Sequence, residues 1–526
     1  MTEMVQPDTQ MTTPEDRPRA IPADMKEVRV RFAPSPTGSL HIGGAKLVMY
    51  NVLFAHGQAR REGKKGTFIL RIEDTDQKRY VEGAAENLMD ELRWLGLEWD
   101  EGPDVGGPYG PYVQSQRTHR YKEAAEQLVA SGHAYRCFCS PERLKQVRED
   151  FQKRGLPPGY DRHCRNLSAE EVQAKVDAGE SYVVRFKMPR EGETRFTDLL
   201  RGEIVYENEK LEDLVILKSD GFPTYHLAVV VDDHEMHITH VTRGPEWIPT
   251  APLHVQLYGA FGWEMPIFAH MPLILAPTGG KLSKRHGGAS VTDFREGGYL
   301  PEALLNYLAL LGWSLDDKTE IFTMDDLLEH FTIERVSASP ATFDRNKLDW
   351  MNQYWINHMI TVEDLARRCL PFLIRAGTIE DGPLDESHPR FEDVKAAATL
   401  LKDRIKLLTE APDLMSYFLQ DELPDYDAAT LVPRKVEPTT ALGALEAVAR
   451  VLPEIDVANE EAAEARLRAL AEELGFKAGQ LFMPIRVAAT GRTQSPGLFE
   501  TLRVIGQERV ERRIAQAVEK LRGIAS

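Results

Sequence analysis

The N-terminal part of the chain shows a repeating order of strand-like and helix-like apolar patterns. Residues 27–34 (EVRVRFAP) place Val28, Val30 and Phe32 at alternate positions, which predicts a strand with one buried face. The glycine-bearing segment SPTGSLHIGG follows, and AKLVMYNVLFA then has apolar residues at helical spacing. A second strand (TFILRIED) and an amphipathic helix come next. This order is typical of the start of a parallel, doubly wound sheet.

The middle of the chain mixes helices with short strands. The segments YVVRFKMP (182–189) and LVILKSD (214–220) predict strands, and the apolar run in TYHLAVVVDDHEMHITHVTRG predicts a later strand of the first sheet. We therefore predict a Rossmann-type nucleotide-binding domain in two parts, 27–114 and 226–262. An insertion at 115–225 would separate them.

The rest of the chain has helical patterns almost throughout, as in LPEALLNYLALLGW and EAAEARLRALAEELG. We predict a joining region at 263–345 that carries a basic loop, and a helical region at 346–526. The fold class is thus multidomain α/β plus all-α, a split Rossmann-type domain followed by helices. Residues 1–26 are polar and rich in proline, which predicts a disordered extension.

Charge and cysteine content narrow the classes of protein only in part. The net charge of −18 argues mildly against nucleic acid as a partner, but local basic patches govern such binding, so the partner stays open. No run of 18 uncharged apolar residues occurs, so we expect no membrane span. The sequence has only four cysteines, and three of them lie within residues 137–164. This number and spacing indicate either a metal site or cysteines without a shared function, and not a disulfide framework. We therefore expect the protein in the reducing cytoplasm.

Two segments have the composition of phosphate-binding loops. RFAPSPTGSLHIGG (31–44) would present backbone N–H groups, a helix N-terminus and the His41 side chain to phosphate. GGKLSKRHGG (279–288) places Lys281 and Lys284 between glycine pairs, which suits a mobile clamp over polyphosphate. Taken singly, the first segment has an ordinary structural turn as its alternative interpretation, and the second has an exposed basic loop.

The amino-acid sequences of these two segments resemble those of a known family. HIGG and KLSKR are similar to the HIGH and KMSKS signatures of class I aminoacyl-tRNA synthetases. RFAPSPTG, FILRIEDTD, PTYHLA, VDDH, HMPLI, KLSKRHG and SPATFDRNKLDWMNQYWI resemble the bacterial-type glutamyl-tRNA synthetases in order and spacing. The resemblance extends from about residue 27 to the C-terminus. It implies a ligase that activates L-glutamate with ATP and Mg²⁺ and transfers it to the 3′ end of tRNA(Glu).

The resemblance also implies roles for individual residues. Two arginines would bind the two carboxylates of glutamate, which suits planar guanidinium groups. The glutamate-binding set is Arg31, Ala33, Ser35, Glu73, Tyr225 and Arg243. The ATP-binding set is His41, Gly43, Gly44, Glu246, Trp247 and Lys284. The catalytic set is His41, Lys281, Ser283 and Lys284.

Two positions depart from the family pattern. The first signature ends in Gly44 instead of histidine, so phosphate contact depends more on His41 and the backbone. Val229 stands where some relatives have an asparagine near the substrate, so that amide hydrogen bond is lost here.

A group of thiols resembles the zinc site of some family members. Cys137, Cys139, Tyr160 and Cys164 would be the ligands, with His163 as the alternative to the tyrosine. The alternative reading is three buried cysteines without metal. In the helical half, Arg345, Lys347, Arg486, Arg492 and Arg503 are candidate tRNA contacts, or simply solvated charges.

The resemblance completes the domain and partner predictions. Region 115–225 would bind the tRNA acceptor end, 263–345 the stem and 346–526 the anticodon, in a cytoplasmic monomer. One alternative is a glutaminyl enzyme or a short tRNA-modifying paralogue, which the helical C-terminal half disfavours. The other is a non-catalytic RNA-binding relative, which is disfavoured because the arginines, Glu73 and Lys284 are all present.

Overall fold

The computed structural model describes most of the chain, namely residues 17–76, 78–155, 159–280, 282 and 289–525. The chain divides into two compact units. Unit 1 contains the described residues up to 294 together with 304–344, and unit 2 contains 295–303 and 345–526.

Unit 1 combines α and β structure. Its strands are β1 (Glu27–Phe32), β2 (Lys65–Leu70), β3 (Ala134–Cys137), β4 (Val183–Phe186), β5 (Glu193–Asp198), β6 (Gly202–Glu207), β7 (Val215–Leu217), β8 (His240–Arg243), β9 (Ile267–His270), β10 (Ile274–Leu275) and β11 (Ala341–Thr342). The helices that begin before residue 345 are α1 (Ile42–Val52), α2 (Ala84–Trp94), α3 (Thr118–Ala130), α4 (Pro141–Lys153), α5 (Ala169–Asp177), α6 (Tyr225–Glu235), α7 (Ala251–Phe261), α8 (Val291–Glu296), α9 (Pro301–Leu310) and α10 (Met324–His330).

The parallel strands of unit 1 create a switch in strand order. β1 pairs with β2 in parallel, and a second sheet has the order β6-β5-β9-β8 with β8, β9 and β5 parallel. A backbone hydrogen bond of 3.0 Å from Thr239 N to Arg29 O joins the free edge of β1 to the start of β8. The chain leaves β1 toward β2 and leaves β8 toward β9, in opposite directions. Ligands of such sheets bind at this point, beyond the carboxyl ends of the strands.

Strand β1 is buried on both faces, whereas its alternating pattern predicts one buried face. Val28 and Val30 are fully buried, and Arg29 and Arg31 on the other face are only 3% and 4% exposed. Arg29 donates to both carboxylate oxygens of Glu101, at 2.9 and 3.0 Å. Buried charges persist when they are paired. The alternation of β1 therefore separates an apolar layer from an ion-paired layer.

The segment from Tyr225 to Glu235 corrects a second expectation. It forms helix α6, and only His240–Arg243 forms the predicted later strand. Leu227, Ala228 and Val230 of this helix lie in a core shared with α3, β4 and α7. A continuous apolar run does not by its periodicity distinguish a buried strand from a buried helix, which explains the error.

The predicted insertion contributes to two sheets. β3, β4 and β7 form a separate antiparallel sheet, whereas β5 and β6 pair into the sheet that contains β8 and β9. The Asp198–Phe268 pairing makes this connection. The predicted insertion therefore forms one sheet of its own and also supplies two strands to the sheet of β8 and β9.

The N-terminal segment is ordered from Arg17 onward. Ala20 and Ile21 are fully buried, and His240 Nε2 donates to the carbonyl of Ala20 at 2.9 Å. Arg17 donates to the carbonyls of Glu334 and Val336. The prediction of disorder is therefore wrong for residues 17–22, because two apolar side chains and one arginine anchor a stretch that is otherwise polar. The first 16 residues lie outside the described part.

Unit 2 is helical, as predicted. Its main helices are α11 (Arg345–Tyr354), α12 (Val362–Arg375), α13 (Phe391–Leu401), α14 (Ala411–Leu419), α15 (Pro438–Val451), α16 (Glu460–Glu473), α17 (Ala478–Thr490), α18 (Leu498–Ile505) and α19 (Gln507–Ala525). Val510, Ile514, Ala517 and Leu521 of α19 are fully buried, so this face is core packing. Across the described residues of both units, no helix has the length and apolar character that crossing a membrane requires.

Candidate active site

A cavity of about 950 Å³ lies beyond the carboxyl ends of β1 and β8. It collects residues that are up to 243 positions apart, from Arg31 to Ile274, because parallel strands end at one edge of the sheet. Every described residue of the predicted glutamate and ATP sets lines it: Arg31, Ala33, Ser35, His41, Gly43, Gly44, Glu73, Tyr225, Arg243, Glu246 and Trp247. The predicted Lys281, Ser283 and Lys284 lie outside the described residues.

Arg31 is held by a carboxylate. Its Nε and Nη2 donate to the two carboxylate oxygens of Asp233 at 3.0 and 3.1 Å, and its Nη1 donates to the carbonyl of Thr242 at 3.3 Å. Burial opposes the charge of Arg31, yet the Asp233 carboxylate raises the pKa of Arg31 above its ordinary value. The pair leaves the outer edge of the guanidinium as the part that can donate to a ligand.

Glu73 lies in the same buried network, after the end of β2. Its Oε1 accepts from Arg71 Nη2 at 3.1 Å and from Gln114 Nε2 at 3.4 Å, and Arg71 also donates to Asp233 at 2.8 Å. Burial raises the pKa of Glu73 to about 7, although the charges of Arg71 and Arg31 act to lower it. The carboxyl group is therefore close to half-ionised near neutral pH, with its second oxygen available to a cation.

Arg243 is held by neutral groups instead. Its Nε donates to His270 Nε2 at 3.0 Å and its Nη1 to His254 Nδ1 at 3.1 Å. Its buried Nη2 has no hydrogen-bond partner among the described residues. Burial lowers the pKa of Arg243, the opposite direction from Arg31. An uncompensated buried guanidinium at a cavity wall is suited to binding an anion.

The aromatic side chains form one wall of the cavity. The rings of Tyr225 and Trp247 lie 4.4 Å apart at an angle of 31°, and the Tyr225 ring lies 5.8 Å from that of His254. Tyr225 begins α6, and Trp247 follows the end of β8 in a short 3₁₀ helix. Burial raises the pKa of the Tyr225 phenol, so its hydroxyl remains a hydrogen-bond donor at neutral pH.

His41 caps the helix that follows the first signature. Its Nδ1 accepts from Gly43 N at 3.1 Å, so Nε2 carries the proton and donates to the carbonyl of Leu282 at 3.2 Å. Backbone hydrogen bonds from Ile42 N to Ala289 O and from Val291 N to Leu40 O run alongside. The two predicted phosphate-binding segments are therefore neighbours in space, although about 240 residues separate His41 from Leu282.

The three predicted thiols cluster around Tyr160. The Sγ atoms of Cys139 and Cys164 are 3.6 Å apart, and the Tyr160 hydroxyl lies 3.2 Å from Cys137 Sγ and 3.7 Å from Cys139 Sγ. All three Sγ atoms lie within 4.8 Å of one another, and no histidine or carboxylate among the described residues joins them. This spacing fits thiolates around one tetrahedral zinc, with Tyr160 rather than His163 beside them.

Several residues of the site were missed at the sequence level. Asp232 accepts from Gln114, Arg117 and Tyr121, which fixes α6 beneath the cavity. Asp233 and the two histidines on Arg243 were also missed. A signal existed in VVVDDH, because two consecutive acidic residues within an apolar run must be paired when buried. Val229 of the same helix lies in the apolar core and does not line the cavity.

The candidate basic residues of unit 2 have partners within the unit. Arg492 donates to Asp413, Arg503 pairs with Glu460, and Arg486 donates to the carbonyl of Pro496. Arg345 donates to the hydroxyl of Tyr299. These contacts give the arginines structural roles, and their predicted contacts with tRNA stay untested.

Comparisons with known proteins agree with this arrangement. The family described as "tRNA synthetases class I (E and Q), catalytic domain" matches residues 27–350, and "Anticodon binding domain" matches 364–518. The chain is 48% identical over 498 residues to the glutamate–tRNA ligase of Dehalococcoides mccartyi, covering 94% of this chain and 98% of that protein. It is 46% identical to that of Borreliella burgdorferi, covering 94% and 99%. The crystal structure of a glutamate tRNA ligase from Elizabethkingia meningosepticum in complex with its amino acid matches with a TM-score of 0.82 at 36% identity, covering 94% and 99%.

Proposed function

Because this chain belongs to the glutamate–tRNA ligase family of class I aminoacyl-tRNA synthetases, we propose that its β1/β8 cavity binds L-glutamate and ATP together. The chain is a glutamate–tRNA ligase. The observation that carries the residue-level proposal is that two arginines, Arg31 and Arg243, and the Glu73 carboxyl group line one cavity. Two cations and one carboxylate complement a substrate with two carboxylates and one ammonium group.

Each side chain has a defined part in substrate binding. Arg31 and Arg243 bind the two carboxylates, and Glu73 binds the ammonium group together with the carbonyl of Ala33. The hydroxyls of Ser35 and Tyr225 donate to the carboxylate oxygens. Which arginine takes which carboxylate is left open.

ATP occupies the other part of the cavity. Glu246 and Trp247 contact the adenosine, and His41 Nε2–H and the backbone at Gly43 and Gly44 face the phosphates. His41 changes its acceptor from the Leu282 carbonyl to a phosphate oxygen. Lys281, Ser283 and Lys284 complete the phosphate contacts, as the family resemblance implies.

Activation proceeds by in-line attack of the glutamate α-carboxylate on the α-phosphorus of ATP. One P–O bond forms, the bond to the β-phosphate oxygen breaks, and pyrophosphate leaves. The 3′-terminal adenosine hydroxyl of tRNA(Glu) then attacks the activated carbonyl and releases AMP. Positioning and charge neutralisation supply most of the rate, and Mg²⁺ that accompanies ATP would add to the neutralisation. No protein nucleophile is required.

The remaining proposals concern a zinc site, the regions that contact tRNA, and the oligomeric state and cellular location of the protein. We propose that Cys137, Cys139, Cys164 and Tyr160 hold a structural zinc ion, which would fix β3 to the segment after α4. We also propose that the region 115–225 contacts the acceptor end, 263–345 the stem and 346–526 the anticodon. The protein would act as a monomer in the cytoplasm.

Charging assays test the function. We expect ATP-dependent attachment of labelled glutamate to purified tRNA(Glu), and tRNA(Gln) run in parallel defines the tRNA range. By the family resemblance, Lys284 stabilises the charge that develops on the departing pyrophosphate. Lys284→Ala should therefore slow single-turnover adenylate formation about 100-fold or more and leave tRNA binding intact. Arg243→Gln should raise KM for glutamate about 10-fold or more. Unchanged activation in the lysine variant, or unchanged KM in the arginine variant, would contradict the assigned roles.

A further inference from the structure

A buried chain of hydrogen bonds runs through Arg243. Asp198 Oδ2 and His270 Nδ1 are 2.6 Å apart, and His270 Nε2 accepts from Arg243 Nε at 3.0 Å. On the other side, His254 Nδ1 accepts from Arg243 Nη1 at 3.1 Å, and His254 Nε2 lies 3.1 Å from His226 Nδ1. Asp198, His270, His254 and Arg243 are each at most 4% exposed. The chain thus joins the end of β5 to the start of α6 through one cavity arginine.

The chemistry of arginine determines the proton positions along this chain. A guanidinium group only donates, so His270 Nε2 and His254 Nδ1 must be acceptors. His270 therefore carries its proton on Nδ1 and donates it to Asp198. His254 carries its proton on Nε2 and donates to His226, whose own proton is on Nε2. Each ring is neutral, and each has one allowed tautomer.

Neutral acceptors have an electrostatic consequence that a carboxylate would not have. Burial lowers the pKa of His254 and of His270, which keeps both rings uncharged. They orient Arg243 without cancelling its charge, whereas Asp233 both orients and neutralises Arg31. The Asp198 carboxylate acts one step away, on the far side of the His270 ring.

The anchor of the chain is itself fixed. Asp198 Oδ1 accepts from the backbone N–H groups of Leu200 and Arg201 at 3.0 Å, and its Oδ2 accepts from His270 N at 3.0 Å. Backbone donors favour the ionised carboxylate and hold it in one orientation. Rotation of the His270 ring would break its hydrogen bonds to Asp198 and to Arg243, so the position of Arg243 Nε is fixed through two side chains.

We propose that Asp198, His270 and His254 are positioning residues that fix the orientation of the Arg243 guanidinium at the cavity wall and keep its positive charge available to a substrate carboxylate. This inference rests on the proposed role of Arg243 in glutamate binding. These three buried side chains would thus affect glutamate binding through Arg243, without touching the substrate themselves.

Three substitutions of His254 separate orientation from charge. His254→Asn keeps an acceptor where Nδ1 stands, His254→Leu removes it, and His254→Asp replaces it with an anion. We expect the leucine variant to raise KM for glutamate about 10- to 100-fold, because a hydrogen bond to a charged group is lost. The aspartate variant should raise it similarly by neutralising Arg243. The asparagine variant should stay within about threefold of the unsubstituted protein, and KM for ATP should not change in any of them.

His240→Leu is the matched control. His240 is also fully buried in unit 1, but it donates to Ala20 and does not contact Arg243. Its loss should lower thermal stability without changing KM for glutamate. Thermal melts of all variants identify those that fail to fold. If His254→Asn and His254→Leu are destabilised equally, a difference in their KM for glutamate still reports the lost hydrogen bond.

Two outcomes separate the failure of this inference from that of the proposed function. If Arg243→Gln raises KM for glutamate but His254→Leu does not, the positioning role is overturned and the role of Arg243 stands. If neither substitution changes KM for glutamate, the proposed function of Arg243 fails and the inference fails with it. Equal KM values for the asparagine and aspartate variants would overturn the argument from charge.

Discussion

At the scale of single residues, the acceptors around the two cavity arginines differ in charge. Arg31 is paired with Asp233, and Arg243 is held by two neutral imidazoles. Breaking the buried pair by Asp233→Asn would leave Arg31 partly unpaired, at a cost to stability of about 3–5 kcal/mol. The same change beside Arg243 is not available, because no carboxylate in the described part of the chain contacts it directly. The pocket thus combines one neutralised and one uncompensated cation.

Glu73 leads to a pH prediction. Burial raises the pKa of its carboxyl group to about 7, and only the ionised form attracts the substrate ammonium. Lowering the pH from 8 to 6 protonates the group, so 1/KM for glutamate should fall about 10-fold, as expected for one proton. KM for ATP over the same range is the internal control. The Glu73→Gln variant should have a raised KM for glutamate that no longer depends on pH in this range. If 1/KM for glutamate still falls between pH 8 and 6 in that variant, the assignment to Glu73 is contradicted.

The side chains that line the cavity were predictable, and those that support them were not. Arg31, Glu73 and Arg243 stand in family motifs, so the resemblance was sufficient to place them in the site. Asp233 and His254 act on those residues from other elements, across sequence separations of 202 and 11 residues. The acidic pair in VVVDDH indicates that Asp233 has a buried partner, but which residue each side chain meets depends on which elements pack together in the fold.

At the scale of elements, the errors have a common physical origin. β1 and α6 are both buried on all sides, so their polar residues pair internally instead of marking a solvent-facing side. Periodicity assumes that one face meets water, and it therefore did not indicate the burial of the polar face of β1 or the helix α6 that precedes strand β8. It succeeded for α19, whose outer face is exposed. Surface elements were more predictable than central ones.

The thiol cluster gives a prediction about elements, because it links the end of β3 to the short helix at Cys164. We expect about one zinc ion per chain by elemental analysis, four-coordinate as structural zinc sites are. Removal of the ion by a chelator should lower the melting temperature. Cys139→Ser should lose the metal, whereas Cys369→Ser should keep it, because Cys369 is buried in α12 and is not one of the three clustered thiols. A metal-free protein with an unchanged melting temperature would contradict the proposal.

At the scale of the whole molecule, an acidic protein must bind a polyanion. The net charge is −18, so any tRNA contact depends on local basic groups against a repulsive background. The glutamate-binding groups, in contrast, are buried and little screened by salt.

Raising KCl from 50 to 200 mM should therefore weaken tRNA binding about 10-fold or more, through counterion release. KM for glutamate should change by less than about threefold, because its partners are shielded from ions. Charging and filter-binding assays across the salt series measure both. If the dissociation constant for tRNA and KM for glutamate change in parallel, the salt effect is not specific to the tRNA contact and the prediction is contradicted.

The anchored N-terminal segment has a practical consequence for recombinant work. The family match begins at residue 27, but Ala20 and Ile21 are already fully buried against unit 1. A protein trimmed to the family boundary would lose about 1.5–3 kcal/mol for a large buried apolar side chain such as Ile21. It would also leave the His240 ring without its carbonyl acceptor. Expression vectors for this enzyme should therefore retain the chain from Arg17, and affinity tags with protease sites belong upstream of that residue.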